Sequence, residues 1–102
     1  MSNIVVYWPA KISLPNKREI MDFLDAMMKR LAVGYTRYGA PSAQKSYMSR
    51  METELKSYKR SGNMEHLLNM ANYAILESLA PQHPKHHWDP HIDSVTRRRT
   101  LT

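Results

Sequence analysis

The chain has no cysteine, so disulfides, thiolate metal centres and cysteine nucleophiles are all excluded. No stretch approaches the roughly 18 apolar residues that a membrane span requires. The start lacks the basic-then-apolar layout of a secretory signal, so the expected compartment is the cytoplasm, with no membrane contact. Acidic residues are scarce: 9 Asp and Glu stand against 15 Lys and Arg, a formal charge of +6. Such an excess favours an anionic partner. No Gly-rich phosphate loop, nucleophile elbow or helix-turn-helix spacing occurs, which removes the common routes to nucleotide hydrolysis, acyl transfer and sequence-specific DNA reading. Internal repeats and low-complexity tracts are missing too.

What is present, in 102 residues of which 42% are hydrophobic, suits one small globular domain. Eight methionines are available to fill irregular gaps in a core. Ile4 to Trp8 is β-branched and aromatic until Pro9 interrupts, and predicts a short extended arm or edge strand within residues 1–13, anchored by Trp8. Asn16 with Glu19 resembles a capping box, and Ile20, Phe23, Leu24, Met27 and Leu31 recur at helical spacing. A first helix is therefore expected over residues 16–38, with one buried face and with Gly39 as a left-handed terminator.

Ser42 is the expected cap of a second helix, residues 42–60, whose apolar stripe is Tyr47, Met51, Leu55 and Tyr58. Arg50 with Glu54 and Glu52 with Lys56 are i,i+4 pairs on its exposed sides, worth about 0.2 to 0.5 kcal/mol each. After the turn at Ser61 to Asn63, a third helix capped by Asn63 spans residues 63–80. Pro81, Pro84 and Pro90 then exclude helix, leaving residues 81–102 as a non-helical basic tail. The fold class is all-α: a three-helix unit, residues 1–80, containing an antiparallel helical hairpin.

The third helix is apolar nearly all round. At about 100° per residue, Glu65, Asn69 and Asn72 share a narrow arc, while Leu67, Leu68, Met70, Ala71, Tyr73, Ala74, Ile75 and Leu79 cover the rest. A helix of this kind is expected to be enclosed, most simply in a two-fold homodimer. Its polar seam then needs partners, and the hairpin brings Glu54 opposite it. Converging carboxylates and amide oxygens can hold Mg²⁺ or close into a hydrogen-bonded network that sets helix register.

At these residues a resemblance appears. Tyr38-Gly39 ending a helix, a Glu-bearing second helix, and G-N-x-E-H-L-x-N-x-A-N-Y-A from Gly62, closing in Glu77, resemble small proteins encoded by tailed bacteriophages. The span of residues 35–80 is also distantly similar to MazG-like all-α nucleoside triphosphate pyrophosphohydrolases. That family implies a helical dimer whose Mg²⁺ site uses E-x-x-E on one helix and E-x-x-D on the next, splitting a nucleotide between its α and β phosphates. The chain departs from the pattern at both helices. Glu52 and Glu54 are two apart and point to different faces, and Asn69 and Asn72 stand where a further acid is expected. Neutral amide oxygens do little to offset the dehydration of a hard cation.

Two other groups complete the candidates. His83, His86, His87 and His91 with Asp89 have metal-ligand residue types, but proline breaks the frame that a tetrahedral site needs, so no metal is expected there. Arg37, Lys45, Arg50, Lys56, Lys59 and Arg60, with Arg97, Arg98 and Arg99 in the tail, can follow a phosphate backbone, and tyrosines can stack on bases. The expected function is that of a phage-type accessory protein binding an anionic host or phage protein, or nucleic acid, without catalysis and without a cofactor. The alternative is a Mg²⁺-dependent pyrophosphohydrolase, or its nucleotide-binding relic, using Glu54, Glu65, Asn69 and Asn72.

Overall fold

The computed structural model describes residues 6–89 and consists of three helices with no strand among those residues. The helices are α1 (Leu14–Tyr38), α2 (Tyr47–Ser61) and α3 (Glu65–Leu79). The all-α reading holds, and α2 and α3 pack along their lengths as the antiparallel hairpin. Val6 to Trp8 has no regular secondary structure and joins no strand, and Ile4 and Val5 lie outside the described residues. The Trp8 ring lies under the Lys17 ammonium, 5.8 Å from its centroid.

The helix starts differ from expectation for identifiable reasons. Ser13, not Asn16, caps α1: its Oγ accepts the Asn16 N–H at 3.2 Å. The helix thus begins ahead of Pro15, which is tolerated there because a first-turn N–H has no helical acceptor anyway. It runs through Gly34 to Tyr38 and ends at Gly39, whose φ of 78° is positive as expected. Its ψ of −168° is not left-handed helical, however, but belongs to a region essentially restricted to glycine.

Ser42 does not cap α2. Its Oγ accepts from the Gln44 N–H, and its own N–H donates to the Tyr47 hydroxyl at 3.1 Å. These bonds hold residues 42–46 as a turn, and the helix starts only at Tyr47. Gly62, at φ 71° and ψ 9°, is a left-handed stop, but Asn63 is not the cap of α3: its Oδ1 accepts the Glu65 N–H in a local turn, and the helix starts at Glu65 behind Met64, which makes no side-chain cap hydrogen bond. Pro81 to Asp89 is non-helical, tied back where Gln82 donates its N–H to Glu77 and its side-chain amide to the Ala43 carbonyl.

The enclosed centre is small. Among the described residues, only Tyr47 and Leu68 of the apolar side chains, and Asn72 of the polar ones, are buried. The stripe of α2 turns slightly from its expected register: Tyr47 is buried, Met51 and Tyr58 are half-buried, and Leu55 is exposed while Glu54 faces inward. Nor do the methionines form a core, since Met21, Met28, Met48 and Met64 are all exposed. α3 is only partly enclosed, because Glu65 opens its seam to solvent at the first turn. α1 has no buried residue at all, contrary to the buried face that its periodicity suggests.

Candidate functional site

Two arrangements meet on α3, one on each side of Asn69. The first is the polar seam. Asn69 donates its amide to Glu54 Oε1 at 2.7 Å and accepts at 2.7 Å from Arg30, whose other terminal nitrogen donates to Glu65 Oε2 at 2.6 Å. His66 Nδ1 lies 3.2 Å from the same Glu54 oxygen. Glu54, Glu65 and Asn69 therefore do converge, as the hairpin requires, but in a network that includes a cation. Arg30, expected from the sequence only as a basic surface residue of the first helix, and His66, which the sequence reading did not single out, are the partners of these carboxylates.

Glu54 is the most enclosed acid of this network, with its side chain 15% exposed. Burial pushes its carboxyl upward. Hydrogen bonds from Asn69 and His66, with the charges of His66 and Arg30, outweigh burial and hold it below the ordinary carboxylate value. The carboxylate is thus kept ionised as part of the helix–helix contact.

The second arrangement is a cavity of about 420 Å³ between the last turns of α1, the start of α2 and the face of α3. Tyr47 and Tyr73 stack in its wall with ring centroids 6.4 Å apart and planes at 27°. Tyr35 and Tyr38 add two more exposed rings at the mouth. Arg50 lies 5.9 Å from the Tyr73 centroid, and Lys45 donates to the Tyr38 carbonyl at 3.3 Å, where the C-terminal end of α1 attracts a cation. Three cations, Arg30, Lys45 and Arg50, line the space, and no acid does.

Asn72 lines it too, and is separated from the rest of the seam. Its side chain is 7% exposed by residue, yet neither Oδ1 nor Nδ2 has a hydrogen-bond partner. A buried carboxamide without partners costs roughly 1 to 3 kcal/mol, so the position is expensive unless something else answers it. The expected stripe thus divides: Glu65 serves the network, Asn69 joins the network and also lines the cavity, and Asn72 faces the cavity without a partner.

Of the basic candidates, Lys45 and Arg50 reach the cavity. Lys56, Lys59 and Arg60 lie at the far end of α2, exposed, and Arg37 is exposed on α1. Arg97, Arg98, Arg99 and His91 lie outside the described residues. His83, His86 and His87 each engage nearby backbone through Nδ1. Among the described residues no three His, Asp or Glu side chains gather as a metal-binding group, and no helix is long and apolar enough to cross a membrane. No family model, curated protein or solved structure matches this chain.

Proposed function

We propose that the protein is a binding module for an anionic partner, which it engages at the cavity between α1, α2 and α3. The carrying observation is the composition of that cavity: cations without an acid, tyrosine rings, and a buried carboxamide with both its donor and its acceptor unanswered. On this reading Lys45 and Arg50 attract the anion, Tyr35 and Tyr38 provide planar contact, and Asn72 fixes orientation. Arg37, Lys56, Lys59 and Arg60 extend the positive field around it. The partner is a macromolecule of a bacterial or phage cytoplasm, following the likeness to small phage-encoded proteins. It is either nucleic acid held by its phosphates or an acidic protein surface.

Titration of a fluorescent single-stranded oligonucleotide at increasing salt tests the proposal. The logarithm of affinity should fall linearly with the logarithm of salt concentration, by about 0.7 in slope for each phosphate contact. The double variant Lys45→Ala, Arg50→Ala should bind less tightly and show a shallower slope. Absence of binding at low salt would leave only the acidic-protein form of the reading.

A second reading, a nucleotide-binding relic of a pyrophosphohydrolase, is favoured by the approach of Glu54, Glu65 and Asn69 beside a tyrosine-lined space. Incubation with a panel of nucleoside triphosphates and Mg²⁺ or Mn²⁺ distinguishes it. Release of monophosphate that disappears in Glu65→Ala would replace the binding reading with an enzymatic one.

A further inference from the structure

Val33 apart, the strongly exposed apolar residues of α1 fall in a row. Leu14, Met21, Met28 and Tyr35 fall at every seventh position and are each between 42% and 58% exposed. Leu24, Leu31 and Tyr38 follow three residues after the last three of them. This is the a and d pattern of a coiled-coil seam, and a straight helix keeps such a line on one side for several turns. Arg30 already stands opposite the first residue of α3, so the helix ahead of it has no further length of α3 to lie against.

We infer that this seam is a homodimer interface, in which α1 packs antiparallel against α1 of a second copy about a two-fold axis between residues 22 and 23. In that register Met21 opposes the partner's Leu24, and Leu14 opposes the partner's Leu31. Ile20 then flanks the seam beside the partner's Met27. Among the antiparallel registers that keep this seam, charge selects the same one. The e rows of an antiparallel pair face one another, and they bring Arg18 beside the partner's Asp25 on both sides of the axis. Lys29 already holds Asp25 at 2.9 Å, so the acid is shared between two cations.

One layer is mixed: Met28 meets the partner's Lys17, whose methylene stem covers it while the ammonium reaches out. A parallel pair is disfavoured by the same residues. It would stack Lys17 on the partner's Lys17 and press Asp25 against the partner's Ile20. Leu31, Tyr35 and Tyr38 line the cavity as well as this row, whereas Arg18, Met21, Leu24 and Asp25, which carry the test below, do not.

Sedimentation velocity over a concentration series, on the full chain, tests it. The wild type should be a dimer that dissociates on dilution. Arg18→Asp and Asp25→Arg should each weaken association about tenfold, since two opposed pairs become like-charged, and the double reversal should restore it. Circular dichroism of each variant checks that the exposed substitutions leave the helices intact. Orientation is read by mixing a Met21→Cys chain with a Leu24→Cys chain of different mass under oxidising conditions. The antiparallel dimer yields the mixed cross-link. A monomer at the highest soluble concentration, a dimer indifferent to either reversal, or cross-links only between identical chains would each overturn the inference.

Discussion

The two ends of α1 show how differently one amphipathic helix can be used. From Arg30 to Tyr38 it lies against α3, its residues lining a cavity and closing a hydrogen-bonded network. From Leu14 to Met28 an equally regular apolar row faces outward. Periodicity states that a face wants cover. It does not state whether the cover is the same chain, another copy or a ligand, and here the two halves have different answers.

The sharpest way to break the contrast is Tyr47→Ala. This ring is 2% exposed, it carries the turn before α2 through its hydroxyl, and it stacks on Tyr73. Its loss should cost about 3 kcal/mol, measured by urea unfolding, and should loosen α2, α3 and the end of α1 together. Asn69→Ala removes the residue that joins Glu54 to Arg30 and should cost about 1 to 2 kcal/mol by the same measurement.

The network also has a pH signature. Because the folded-state value of Glu54 is lowered, its stabilisation is present above the ordinary carboxylate value and is lost as pH falls through the lowered one. Thermal melts of wild type and Glu54→Gln should therefore converge on acidification, and parallel profiles would remove Glu54 from that role. Asn72→Leu should act in the opposite direction, stabilising the ligand-free protein by about 1 kcal/mol while weakening partner binding. Smallest of all is Met21→Ala, which at concentrations where the protein is monomeric should change unfolding by less than about 0.5 kcal/mol. A large effect there would mean that the chain itself covers the row.

Much of this is legible in the amino-acid sequence. The three helices, the hairpin, the glycines at their ends and the approach of Glu54 to the polar stripe follow from spacing and turn chemistry. Ser42 misled because Ala40-Pro41-Ser42 looks like a helix start, whereas its hydroxyl is spent on Gln44 and its N–H on Tyr47. The role of Arg30 escaped because its acceptors are 35 and 39 residues away, beyond any local pattern. His66 carried a weak signal: it directly follows Glu65 and sits on the side of α3 turned toward α2. The division of the stripe at Asn72 depends on tertiary packing alone.

The reach of Arg30 sets an order of assembly. Contacts between α2 and α3 span short loops, such as the 15 residues from Glu54 to Asn69, and close early and cheaply. α1 is made first on the ribosome but can secure its place only after the start of α3 has emerged. Pulse-labelled amide exchange during refolding should accordingly find α2 and α3 protected before α1, the oldest helix being the last to settle.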